Sequence, residues 1–396
     1  MRTYRFALLI CFAFPLLASG QRVILPPTLT ETAEVSVITC GPGNLIYEIF
    51  GHSAFRVRDP QLRLDWVYNY GTFEYGPDYV PQFLRGKLRY FLNSYAFNRF
   101  LVEYQKQNRI VKEQVLDLKT AEKQAVYDYL NTNRLDDNKY YQYDFFYDNC
   151  ATRERDVLLE VLGDNLRFRP ATEDTLGTLR DMIHVYFAVE PWASFGVDLC
   201  LGLPADKPAT QLSAMFLPDY LFEGLRAGEV DRNGNWQPLV KREVVLFDPG
   251  AGFALTPPAF RPLLLMWIIF GVGVLLTVTT FGRKRIFRLF DSLLFFLIGF
   301  LGVVVLLFWF GTDHDATYNN LNILWLIPTH LLFAGLIWFR KLERWIAMRY
   351  ATWFGLYYIV FLLVSFFLPQ YFHPAMYPLV LLMIARFMLY RFQSMD

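Results

Sequence analysis

The chain of 396 residues is 54% hydrophobic and only 19% charged, a balance that excludes intrinsic disorder. Its 38 Lys and Arg nearly cancel 37 Asp and Glu, which removes the basic surplus of a nucleic-acid-binding protein. Four Cys are too few for a disulfide-built scaffold, and 38 Phe exceed what a wholly soluble chain of this size carries, so a membrane protein with a substantial soluble part is expected.

Residues 1–20 carry Arg2 and Arg5, an apolar run over 6–17 and then Ala18-Ser19-Gly20, the pattern of a cleaved signal peptide. An uncleaved anchor helix is the alternative and leaves the following domain on the same face of the membrane. Residues 21–258 are mixed polar and apolar sequence and form the exported domain. Alternation predicts strands at 35–40 (VSVITC), 53–58 (SAFRVR), 64–70 (LDWVYNY) and 110–118, with a helical turn or two at 44–50. Helical spacing marks 120–131, with Thr120 as N-cap; 140–146 is strand-like, and 150–162 is an amphipathic helix. Strands and helices intermix without a βαβ rhythm, which predicts an α+β domain.

From 259 onward the character changes. Segments 262–281, 292–310, 321–339 and 351–368 lack charge, each close to the roughly 20 apolar residues that cross a bilayer. Segment 372–390 carries Arg386 near its end, where it is expected to snorkel to the interface. An all-α domain of five transmembrane helices is therefore expected over 259–396. The loops at 282–291 and 340–350 hold clustered Arg and Lys, whereas those at 311–320 and 369–373 hold none. The positive-inside rule places the basic loops and the C-terminus in the cytoplasm and the large N-terminal domain outside.

The exported domain has two His, His52 and His184, and three Cys, Cys40, Cys150 and Cys200. No C-x-x-C, H-x-H or H-E-x-x-H spacing is present, so neither a metal nor another cofactor is expected. A thiol activated by an imidazole needs only one of each. Cys150, in Asp148-Asn149-Cys150-Ala151-Thr152-Arg153, opens a helix whose N-terminus favours a thiolate. Arg153 adds positive potential, and free first-turn N–H groups are available to an oxyanion. His52, beside Gly51 at a strand start, is the candidate base. Its orienting partner is expected on the neighbouring strand, where Asp65 and Asn69 are the choices and Asp65 the better match for an imidazolium. The bland alternatives are a buried free Cys and a His bonded to backbone. His184, mid-helix, reads as structural, and Cys40 with Cys200 is an open question between a disulfide and two free thiols.

The strings TCGPGNLIYEIFGHSAFRVRD, VYNYGTFEY and FFYDNCATRERD resemble the signatures of the Lnb-type lipoprotein N-acyltransferases of the Bacteroidetes, and GTDHDATYNNLNILWLIP resembles that family's external loop. The resemblance runs from about Val35 to the end, although 169–255 contains no recognisable string. It implies a papain-like, permuted NlpC-like extracytoplasmic thiol domain followed by membrane helices, with Cys150 as nucleophile and His52 as base. Asp65 is an inference from position, with Asn149, Arg153, Asn69, Asp313 and His314 as candidate substrate or oxyanion contacts.

The implied partners are a phospholipid acyl donor, a diacylated lipoprotein acceptor and the lipid bilayer, with the protein multi-pass in the bacterial inner membrane. Asp313 and His314, with Asn319, Asn320 and Asn322, face the thiol domain's side and are open to a headgroup, an amine or plain solvent. His330, in the third span, reads as a helix-packing residue. Two other readings stay open: a membrane-tethered cysteine peptidase or amidase acting on peptidoglycan, and a non-catalytic envelope assembly factor.

Overall fold

The computed structural model describes residues 25–74, 76–169, 176–250, 258–279 and 284–393. The expected signal peptide at 1–20 lies outside them. The exported part is α+β. Its sheet is built from β1 (Glu34–Cys40), β2 (His52–Asp59), β3 (Leu64–Phe73), β4 (Arg89–Ala96), β5 (Val111–Leu116) and β6 (Tyr140–Gln142). A small second sheet contains β7 (Leu166–Phe168), β8 (Gly228–Asp231) and β9 (Trp236–Pro238), and β10 (Val240–Phe247) returns to the main sheet. The main order is β10-β5-β1-β2-β3-β4-β6, antiparallel throughout. The expected strand at 140–146 stops at Gln142, because Asp144 caps the turn that follows by accepting from the Phe146 and Tyr147 amides.

Among the described residues this part also holds eight α-helices: α1 (Tyr79–Leu84), α2 (Phe97–Lys106), α3 (Thr120–Asn133), α4 (Cys150–Leu162), α5 (Leu179–Phe187), α6 (Pro191–Cys200), α7 (Gln211–Ala214) and α8 (Pro218–Ala227). Residues 44–50 form turns rather than helix. At α3 the cap is Lys119, whose backbone N–H donates to Glu122, so Thr120 is the first helical residue and not the N-cap. Strand alternation splits the core in two. Val37, Phe55, Val57, Tyr68 and Tyr70 pack with α3, α4 and α8 on one face. Ile38, Cys40, Ala54 and Val67 pack with Phe97, Phe100 and Tyr104 of α2 on the other.

The C-terminal part is helical: α9 (Pro262–Thr279), α10 (Lys284–Gly311), α11 (His330–Leu336), α12 (Arg340–Val364) and α13 (Met376–Gln393). Arg288–Gly311 and Arg349–Phe367 are long and apolar enough to cross a membrane, and Pro262–Thr277 and Met376–Leu389 are shorter apolar helices. The expected third span is not one helix. Residues 321–324 make a 3-10 turn, Pro328 interrupts the segment, and α11 has only seven residues. Its backbone still runs antiparallel along α10, with Leu326 against Gly302, Leu331 against Gly299 and Ala334 against Ser292. At Gly302 a Cβ would sit 2.1 Å from the Leu326 carbonyl oxygen, so only glycine permits this approach.

Broken backbone at membrane depth needs protein partners for its polar groups. Tyr357 and Tyr358 of α12 supply them, donating to the carbonyls of Leu324 and Trp325, both at 2.7 Å. His330 is not a simple packing residue: its ring nitrogens lie 2.7 Å from the Tyr350 and Tyr358 hydroxyls, tying the break to α12.

The two parts are joined by polar contacts. Asn320 and Asn322 donate to the carbonyls of Asp198, Leu199 and Cys200, the last turn of α6. Arg180, fully buried, binds Asp198 and Asp206, and the Tyr371 amide donates to Asp206. His184 joins this network through Asp198 at 2.9 Å and is structural, as its sequence setting predicts.

Arg386 does not snorkel. It is 2% exposed, and its guanidinium forks onto Asp291 of α10 at 2.6 and 3.0 Å while donating to Thr277 of α9. Removing one partner of such a pair strands a buried charge. Arg386→Ala is therefore expected to destabilise the helical part by about 3–5 kcal/mol, and Arg386→Met with Asp291→Leu to recover most of that. Thermal unfolding in detergent checks both; equal melting for the single and double variants would contradict the pairing.

Candidate active site

Cys150 is the first residue of α4 because Asn149 caps that helix. Its Oδ1 accepts from the Thr152 amide at 3.0 Å, and the Thr152 hydroxyl accepts from the Asn149 amide at 2.8 Å. The Asn149 amide group donates to the carbonyls of Phe145 and Phe216, so this buried side chain is consumed by scaffolding and does not present itself to an oxyanion. Arg153 is also committed: it binds Asp148 at 2.6 and 2.7 Å and lies 3.8 Å over the Tyr141 ring. The positive potential expected of it at the thiol is largely matched by Asp148.

His52 begins β2, opposite Cys40 of β1. Its Nε2–H donates to Asn69 Oδ1 at 2.6 Å, and Asn69 in turn donates to the Tyr95 hydroxyl. Asp65 is not the orienting residue. The β2–β3 register pairs it with Arg58, and its carboxylate forks onto Arg56 at 2.7 and 2.8 Å. Asp65 and Asn69 share a strand face, but only Asn69 lies at the His52 end of the sheet. With Nε2 donating to Asn69, the lone pair of the neutral ring is on Nδ1. The ring also stacks on Tyr104, with centroids 6.4 Å apart.

His52 belongs to the α2 face of the sheet, whereas α4 covers the opposite face. The two side chains approach one another at the sheet's end, where the β3–β4 register shifts between Asn69 and Thr72. Gly71, at φ +86°, lies between them: a Cβ there would be 3.6 Å from both Cys150 Cβ and His52 Cε1. Thiol and imidazole thus flank one missing side chain, about a hundred residues apart in sequence.

Electrostatics keep both groups neutral at rest. Burial drives His52 down to about 4, overcoming the Asn69 hydrogen bond that favours its charged form, with Arg109 pushing the same way as burial. Burial also raises Cys150, against the stabilising influence of the Ser53 amide and hydroxyl and the first-turn amides of Ala151 and Cys150. The helix terminus therefore favours a thiolate, as expected, without winning. These donors are the groups able to receive negative charge at the reaction centre.

Cys40, Cys150 and Cys200 are free thiols, and Cys40 with Cys200 forms no disulfide. Among the described residues no cluster of three or more His, Cys, Asp or Glu is arranged to hold a metal ion.

Asp313 and His314 serve docking. The Asp313 amide donates to the Arg85 carbonyl, its carboxylate lies 3.6 Å from Lys87, and His314 Nε2–H donates to the Phe83 carbonyl at 2.9 Å. They clamp α1 and its following turn against the outer end of α10. The contribution of α1, whose Val80, Phe83 and Leu84 are exposed, was not legible from pattern; a six-residue helix carries too little periodicity.

Residues 29–184 match the family model described as the Lnb N-terminal periplasmic domain, and residues 255–396 match the Lnb transmembrane domain. No curated protein and no solved structure matches the chain.

Two outcomes are expected. Asn69→Ala removes the acceptor that selects the His52 tautomer; losing about 1–2 kcal/mol of orientation slows Cys150 alkylation roughly 5–30-fold. Peptide-resolved mass spectrometry reads the rate, and Asp65→Asn should leave it unchanged. Secondly, an unfolded chain takes up a proton on His52 near pH 6.5, whereas the folded protein does so only near 4. Stability is therefore lost as pH falls through that window and levels off below it. The difference in melting temperature between wild type and His52→Asn, followed from pH 7.5 to 4, isolates this contribution; a pH-independent difference would refute it.

Proposed function

From the premise that the chain belongs to the Lnb family, with an N-terminal periplasmic domain and a C-terminal transmembrane domain, we propose that it is a cysteine-dependent lipoprotein N-acyltransferase. The observation that carries the reading is the Cys150 thiol at a helix N-terminus, across Gly71 from an imidazole whose far nitrogen is bound by Asn69. Cys, His and Asn in these roles constitute the papain-like arrangement, with His preceding Cys along this chain. This supports a permuted papain-like domain.

Residues next to the site sit close to the membrane part. The Asp144 and Tyr147 side chains, in the turn just before Cys150, feel the charge of Asp315 in the loop after α10. On α1, Val80, Phe83 and Leu84 are 59%, 47% and 49% exposed and are clamped to that same loop. This supports a nucleophile held at the outer membrane–water boundary, where a phospholipid ester lies, and thus a high effective concentration of donor. Clustered Arg and Lys on the opposite loops support a cytoplasmic C-terminus and an inner-membrane location, with five crossings of which the third is broken.

In the first half-reaction the Cys150 S–H proton passes to His52 Nδ1 as sulfur attacks the acyl ester carbon. The tetrahedral oxyanion is met by the Cys150 and Ala151 amides at the start of α4. Collapse breaks the ester C–O bond, and His52 returns its proton to the lysophospholipid oxygen. In the second half-reaction the free α-amine of a diacylglyceryl-cysteine lipoprotein attacks the thioester and gives a proton to His52. The C–S bond then breaks, leaving an amide and a regenerated thiol. A ring that is neutral above about pH 4 is ready to accept the proton in both steps. The aromatic wall of Tyr70, Tyr90, Tyr141 and Tyr143 beside Cys150 disfavours water as the second nucleophile.

Wild-type protein incubated with phospholipid is expected to form a hydroxylamine-sensitive acyl adduct on Cys150, and Cys150→Ser is expected not to form one. Mass spectrometry of lipoprotein N-termini should show the third acyl chain in cells carrying the wild type, and its loss by at least roughly a thousandfold in rate with Cys150→Ala. Unchanged N-termini in cells lacking the protein would sink the proposal.

A further inference from the structure

Glu154 lies one helical turn beyond Cys150 on α4 and has no solvent exposure. Neither carboxyl oxygen has a hydrogen-bond partner among the described residues. The Ser53 hydroxyl on β2 and the Thr39 hydroxyl opposite it on β1 are also buried and unpartnered, on the sheet face that α4 covers. An ionised carboxylate in such a place, with no cation on it, is too costly to maintain, so the side chain is a carboxylic acid and carries a donor. Burial and then the neighbouring Cys150 push Glu154 in that direction and prevail over Ser53, which lies between Glu154 and Cys150 and favours the charged form of each. The titratable groups that feel Glu154 are Cys150 on its own helix, Cys40 on β1 and Tyr70 on β3.

We propose that Glu154 is a positioning residue for the nucleophile: its carboxylic O–H donates to Ser53 Oγ, which frees the Ser53 hydroxyl proton to point at Cys150 Sγ. The inference rests on the reading of Cys150 as the nucleophile. When His52 removes the thiol proton, negative charge develops on sulfur against a donor already aligned, and no proton leaves Glu154. A helix interior would otherwise carry an apolar residue here, as Val157 and Leu158 do farther along α4. An ionised Glu154 would oppose the thiolate, so the same carboxyl is useful only while protonated.

The test is the pH dependence of iodoacetamide alkylation at the Cys150 peptide in the full-length protein in detergent, alongside acyl transfer. Glu154→Gln keeps a neutral donor and is expected to stay within roughly threefold of wild type with an unmoved midpoint. Glu154→Leu removes the donor and is expected to raise the midpoint by roughly one pH unit and slow alkylation roughly tenfold at neutral pH. Ser53→Ala should reproduce that shift, and serves if Glu154→Leu does not fold. A folded Glu154→Leu or Ser53→Ala with the wild-type profile would overturn the proposal, as would a Glu154→Gln variant as impaired as Glu154→Leu. Acyl transfer that survives Cys150→Ser would instead overturn the nucleophile assignment, whereas the alkylation profile reads Glu154 independently of substrate.

Discussion

The hydrogen bond from His52 Nε2 to Asn69 Oδ1 decides which nitrogen of the imidazole is left to accept a proton. It joins adjacent strands at the one end of the sheet where β3 bulges away from β4 and where residue 71 has no side chain. Everything else about the site follows from that placement. The helix bearing Cys150 covers the opposite sheet face, so thiol and imidazole can meet only around the sheet's end. A neutral amide partner pulls the ring toward its charged form less than a carboxylate would, and burial overcomes that pull and holds the ring neutral.

The membrane part obeys the same rule of satisfied polar groups under a harsher solvent. The segment after α10 breaks at Pro328, and the Leu324 and Trp325 carbonyls are met by Tyr357 and Tyr358 of α12, while His330 sits between the Tyr350 and Tyr358 hydroxyls. Asp291 and Arg386 are tolerated because each neutralises the other with a forked geometry. These devices hold the outer loops in place, and the outer loops hold α1 and α6.

Much of this was legible in the sequence. Strand alternation located β1, β2 and β3 within a few residues, and the helix at 150–162 begins and ends where its pattern does. The Cys150 and His52 strings pointed to the pair that the fold brings together. What failed depended on distances between remote residues. Asp65 was the better chemical partner for an imidazolium, but strand register sets it opposite Arg58, where its carboxylate binds Arg56, and register is not written in local pattern. Arg386 looked able to snorkel because its partner, Asp291, lies 95 residues away in what read as a loop. Hydropathy averaged 321–339 as one apolar segment, yet Pro328 sits inside it, and a window average is blind to one missing amide. Glu154 could not be singled out, since charged residues on amphipathic helices ordinarily face water.

The end of α6 is finished by side chains from another part of the chain. Its last three carbonyls are met by Asn320 and Asn322, more than a hundred residues downstream and beyond the first two membrane helices. The boundary that composition draws near residue 258 is thus not a boundary in energy. A periplasmic half excised for crystallisation would lose the cap on one of its own helices, and a chimera grafting it onto a foreign anchor would inherit the same defect. In heredity, too, the halves would be expected to travel together, because neither is a self-sufficient module.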